Sequence, residues 1–68
     1  MRADTITKAQ AQLPATREEL ERRLGLRPGS SQHVVKHMLQ HGYAHEWGDK
    51  LSSKGTLVPV LHSTGKQP

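Results

Sequence analysis

The sequence predicts an α+β fold: three helices in succession, followed by a two-stranded β-hairpin. Three observations predict it. Apolar residues recur at helical spacing as far as about residue 41. Pro14, Gly25 and Gly42 punctuate that stretch at the places where helices stop. Beyond Gly42 the pattern changes to the alternating YAHEW and the β-rich TLVPVL, with a polar, glycine-bounded loop between them.

Taken in order, residues 1–4 read as a loose N-terminus, with Asp4 or Thr5 as the cap of a first helix over 5–13. Ile6, Ala9 and Leu13 form its core stripe, leaving Lys8, Gln10 and Gln12 to water. Pro14 ends it, because the residue before a proline is pushed out of helical geometry. The second helix spans 16–24: Thr16 and Glu19 stand at capping-box spacing, and Leu20 and Leu24 lie one turn apart. Gly25 suits a left-handed stop, with Leu26 packing back. Arg27, Pro28 and Gly29 make the turn. Ser30 or Ser31 then caps a third helix over 30–41, which stops at Gly42.

Residues 43–61 follow as the hairpin, with its first strand over Tyr43–Trp47, a loop over Gly48–Gly55 and its second strand over Thr56–Leu61. Trp47 is expected to pack and anchor the hairpin. Residues 62–68 read as a flexible tail, and the whole chain, 1–68, as one domain.

Composition bounds what such a chain can do. Sixty-eight residues with 32% apolar content give a thin core, and the only aromatics of the Phe/Trp/Tyr class are Tyr43 and Trp47. A large enclosed substrate pocket is not expected. There is no cysteine, which removes disulfides and thiolate metal sites. No apolar run approaches a membrane span or a signal-peptide core, so a cytoplasmic protein with no membrane partner is expected.

The formal net charge of +4 favours a polyanionic partner. The excess is uneven. From Met1 to Leu26 five Lys/Arg nearly balance four Asp/Glu, whereas from Arg27 onward five face only Glu46 and Asp49. All five histidines also lie in this second part.

The third helix carries the functional reading. Ser31, Val34, Val35 and Met38 group on one side, and His33, Lys36, His37 and Gln40 on the other. The outward group holds donors, cations and potential cations but no carboxylate; the preceding helix has Glu18, Glu19 and Glu21. Such asymmetry is expected where one helix approaches phosphates and the other does not.

The order of helix, helix-turn-helix and basic-tipped hairpin resembles the winged helix-turn-helix family, over about Thr5 to Leu61. The resemblance rests on PATREELERRLGL, the Gly25–Gly42 interval, GYAHEW and TLVPVL. The pattern is similar to very small winged-helix proteins of bacteriophages and prophages. It implies a double-stranded DNA-binding regulator whose recognition helix enters the major groove while the wing touches flanking backbone. Ser30, Gln32, His33, Lys36 and His37 would then lie nearest base edges or phosphates, and Arg27, Lys50 and Lys54 would grip the backbone. So small a domain would gain specificity as a homodimer or with a protein partner. Glu21 departs from the pattern, at a site usually small and apolar, and is expected to weaken or reposition the packing of the two helices.

Other chemistries find less support. His33, His37 and His41 recur every four residues, but no third ligand of another kind completes a zinc set, so phosphate- or solvent-facing histidines are expected and no cofactor. Their protonation near the ordinary histidine pKa would strengthen DNA binding in acid. No nucleophile, carboxylate pair or phosphate cradle is arranged for catalysis, and a non-enzyme is expected. The main rival is a winged-helix adaptor that inhibits or redirects another protein, docking through the charged second helix (Glu18, Glu19, Glu21, Arg22, Arg23).

Overall fold

In the computed structural model, which describes residues 2–68, three helices precede one antiparallel hairpin: α1 (Ala3–Ala11), α2 (Arg17–Leu24), α3 (Ser31–Gln40), β1 (Ala44–Leu51) and β2 (Leu57–Ser63). The arrangement is α+β and winged-helix-like. Each boundary has a local cause. The α2 start is a complete capping box: the Glu19 amide donates to Thr16 Oγ1 at 3.3 Å and the Thr16 amide to Glu19 Oε1 at 3.1 Å. At its end Gly25 takes φ 66°, and the Leu26 and Gly25 amides reach back to the Glu21 and Arg22 carbonyls. Gly42, at φ 74°, closes α3 in the same way, with the Tyr43 amide on the Met38 carbonyl at 2.8 Å.

The core is built from every element. Ile6 and Ala9 of α1, Leu20 of α2, Val34, Val35 and Met38 of α3, Ala44 of β1 and Leu61 of β2 are buried together. Leu13, Leu24, Leu26, Leu39 and Tyr43 pack around them. Full burial of a side chain such as Leu20 or Met38 contributes about 1.5–3 kcal/mol each. Ala15, in the link between α1 and α2, exchanges two backbone hydrogen bonds with Leu61 (3.1 and 2.9 Å). β2 therefore lies between β1 and this one-residue bridge, which ties the hairpin to the helices.

Several expectations need correction. The first helix starts and stops two residues earlier than 5–13, and Arg2, with no side-chain bond, stands at its cap instead of Asp4 or Thr5. Met1 lies outside the described residues. Gln10 is buried: its Nε2 donates to the Tyr43 carbonyl at 3.0 Å and the Lys66 carbonyl at 2.7 Å, while its Oε1 finds no partner among the described residues. The tail is correspondingly tied down, with Thr64 Oγ1 on the Gly42 carbonyl and Lys66 Nζ on the His41 carbonyl.

The strands run further than expected, β1 to Leu51 and β2 to Ser63. A bulge makes this possible. Glu46 opposes Leu61 but Asp49 opposes Pro59, so Trp47 and Gly48 together face Val60, with Gly48 at φ 76°. Beyond the bulge the hairpin leaves the core: Trp47 is 72% exposed, Leu51 65% and Leu57 69%. Trp47 is thus no anchor; its contact is the edge of the His62 ring, 5.5 Å between centroids.

Candidate functional site

Glu21 sets the geometry of the turn before α3. Its Oε1 accepts from the Gly29 amide and from Ser31 Oγ, both at 2.7 Å. The carboxylate thus sits at the N-terminal end of α3, where the helix dipole favours a negative charge. The Ser31 hydroxyl and the Gly29 amide hold its pKa below the usual carboxylate range, against an opposing effect of burial. Ser30 stands at the N-cap of α3 as expected but makes no side-chain cap bond; its Oγ instead donates to the Arg27 carbonyl at 2.6 Å. Glu21 fastens the two helices together, contrary to the weakening expected of it.

The residues of α3 divide by exposure as its period requires. Ser31, Val34, Val35 and Met38 are buried, and Gln32, His33, Lys36 and Gln40 form an exposed arc. Val35 and Leu39 border the side facing the hairpin. His37 and His41 make the opposite flank, tilted against one another at 4.2 Å between ring centroids and stacked on Tyr43 at 6.2 and 6.0 Å. The Lys66 ammonium lies 5.5 Å from the Tyr43 ring centre. Burial, with the neighbouring His41, pushes the His37 pKa below the ordinary histidine value. His37 is half-buried on this flank, and the lowered pKa disfavours its protonated ring. Among the described residues no three His, Asp or Glu side chains converge as a ligand set.

The hairpin residues are not equivalent. Lys54 is exposed in the tight turn over Ser52–Thr56, its amide donating to Ser52 Oγ. Lys50 is held instead: its ammonium donates to Glu19 Oε2 at 2.9 Å. That bond, the Thr16 amide and the Lys50 charge lower the Glu19 pKa to about 2. Ser53 Oγ donates to Glu18 Oε2, also at 2.9 Å. The hairpin tip is thereby fastened to the first turn of α2. Arg27 is exposed in the turn between α2 and α3.

Between α2, α3 and the hairpin runs a groove of about 400 Å³. Val35, Leu39, Val58 and Leu61 give it an apolar floor, and Glu18, Glu21 and Glu46 lie along it. The three carboxylates outnumber the two cations of the same lining, Arg17 and Lys54, which disfavours a phosphate in the groove itself. Outside the groove, the exposed α3 arc carries Lys36 and no carboxylate.

The structure thus brings Ser30, Gln32, His33 and Lys36 together on one end and face of α3, sets His37 on its flank, and leaves Arg27 and Lys54 on separate turns. Lys50 stands apart from this set, bonded to α2. Sequence reasoning missed Gln10 as a structural clamp. A signal existed, since positions 6, 9, 10 and 13 are one helical face. For the Lys50–Glu19 pair there was none, because the two are far apart in sequence. No protein-family model, curated protein or solved structure matches the chain.

Proposed function

We propose that this protein binds double-stranded DNA, as a small cytoplasmic regulator of phage or prophage type, with α3 in the major groove and the hairpin tip on the flanking backbone. One observation carries the reading: the carboxylates of α2 are engaged within the molecule, while the exposed arc of α3 carries donors and a cation and no carboxylate. Glu18, Glu19 and Glu21 therefore present less negative surface than their number implies. Gln32 has the amide geometry to pair with adenine, and Lys36 can reach guanine or phosphate. His33 and Ser30 supply shorter contacts at the same end of the helix. Arg27 and Lys54 act on the backbone, where position matters and base identity does not. A single such domain covers little DNA, and useful specificity requires a second copy or a partner protein.

The adaptor reading keeps one specific observation in its favour, and it has moved from α2 to the hairpin. Trp47, Leu51 and Leu57 are large apolar side chains exposed on a short sheet. Selection of duplexes from a random pool by the purified protein, followed by a salt titration on the selected site, separates the two. DNA binding predicts enrichment of one sequence and an affinity that falls steeply with salt. No retention of any duplex at low salt, with stable co-purification of one protein, would establish the adaptor instead.

A further inference from the structure

The hairpin is fastened to α2 by two carboxylates that stand where a nucleic-acid backbone would otherwise compete. Glu19 Oε2 receives the Lys50 ammonium at 2.9 Å, and Glu18 Oε2 receives the Ser53 hydroxyl at the same distance. Glu19 is itself immobile. Its other oxygen closes the capping box on the Thr16 amide, and Arg23 approaches Oε2 at 3.6 Å. Arg23 in turn donates to the Gln12 and Pro14 carbonyls. The Glu19 side chain is 17% exposed, whereas that of Lys50 is 58% exposed. The carboxylate is the fixed half of the pair and the lysine the half that can leave.

We infer that Glu19 and Glu18 form an autoinhibitory latch on the hairpin, holding Lys50 and Ser53 against α2 until duplex phosphates displace the carboxylates. This rests on the DNA-binding reading and adds its regulation. A carboxylate and a phosphate oxygen offer an ammonium the same charge-assisted hydrogen bond, so they compete for one site. The latched hairpin presents a single free cation at its turn, Lys54; the released one presents two. Sequences or conditions that supply a phosphate within reach of the hairpin therefore gain a contact that others do not.

A mutant cycle tests the latch. Glu19→Gln keeps an amide oxygen for the capping box, which accepts Gln as well as Glu, and removes the charge that holds Lys50. Duplex affinity at low salt should rise about three- to tenfold, the scale of one added phosphate contact. The same change in a Lys50→Ala background should give no rise, since there is no lysine to release. Circular dichroism confirms that each variant is folded. Titration of the Glu19 carboxyl by NMR should place it near 2 in the free protein and higher once duplex is bound.

An equal rise in both backgrounds would show a general charge effect and overturn the latch. A fall in affinity with Glu19→Gln would overturn it too, showing that the pair positions the hairpin for binding. If duplex binds but the Glu19 carboxyl does not move, Lys50 never leaves, and the latch fails while the DNA-binding reading stands. If the parent binds no duplex at low salt, the function itself is wrong and the latch falls with it.

Discussion

α2 and α3 are neighbours of similar length, and both carry several polar groups, yet they use them in opposite ways. On α2, Glu18, Glu19 and Glu21 each bond to another segment: Ser53 and Lys50 of the hairpin, Gly29 ahead of α3 and Ser31 at its start. On α3, Gln32, His33, Lys36 and Gln40 stand exposed. A residue count makes α2 the more charged helix and the natural docking face. The contacts make it the bracket that holds the other parts in place. What identifies a candidate interface is polar chemistry left facing solvent, more than the density of charge.

The comparison breaks first if the two helices do not share a core. Leu20 and Met38, both 0% exposed, hold α2 and α3 on opposite sides of it. Leu20→Ala or Met38→Ala should each cost about 2–5 kcal/mol, enough to unfold much of so small a domain. Thermal melts of both variants matching the parent would show that these faces are wrongly assigned.

Next comes the bracket itself. Glu21→Ala removes the acceptor of the Gly29 amide and of the fully buried Ser31 hydroxyl, and should destabilise by about 1–3 kcal/mol. Denaturant unfolding measures this. A neutral result would mean that the turn needs no help from α2.

On the α3 side, His33→Ala with Lys36→Ala should leave stability within about 0.5 kcal/mol, because both residues are exposed. Affinity for a preferred duplex should fall by about 1–3 kcal/mol and for random duplex by less. Equal losses on both would reduce α3 to a backbone contact.

Acid sharpens the contrast from the α2 side. The Glu19 carboxyl is lowered from 4.5 to about 2 by its bond to Lys50 and the helix cap. Its stabilising contribution is complete above about pH 4.5 and is lost as the pH falls through 2. With the half-exposed Lys50 as partner, the amount is about 1–2 kcal/mol. Glu19→Gln should lower stability by about that amount at neutral pH, leave it nearly unchanged at and below about pH 2, and so flatten the profile between. An unchanged profile would remove Glu19 from the bracket.

The smallest effect belongs to the hairpin turn. Lys54→Ala should weaken selected and random duplexes alike and lower the salt slope by about one. A loss confined to the selected site would make Lys54 a reader of bases.

The parts of this fold legible in the sequence are those with local causes. The Thr16–Glu19 box, Gly25 and Gly42 act within a few residues, and each stands where a boundary falls, whereas Pro14 lies beyond the end of α1 at Ala11. The α3 faces followed from period alone. What stayed hidden depends on distant partners. Residues 62–68 look flexible in isolation, but Gln10 and Gly42 capture Thr64 and Lys66 from far along the chain. Trp47 looks like an anchor because indoles usually bury, and the bulge beside it turns the strand into solvent. Lys50 looks like a free cation because its carboxylate partner lies on another element. The exposed face of α3 was legible from its local period, and the tethering of Lys50 was not, for that reason.

The bulge has a consequence for how the hairpin tolerates a change in length. Trp47 and Gly48 share the one position opposite Val60, so β1 carries one residue more than its partner needs. Deleting Gly48 leaves Asp49 against Pro59, Lys50 against Val58 and Leu51 against Leu57, with every cross-strand pair intact. Deleting Asp49 as well draws Lys50 back against Pro59 and Leu51 against Val58. Because successive residues of a strand point to opposite faces, that slip turns Lys50 to the other side of the sheet, away from Glu19. β1 can thus lose one residue at the bulge without altering its pairing, and a second loss there changes what the hairpin presents.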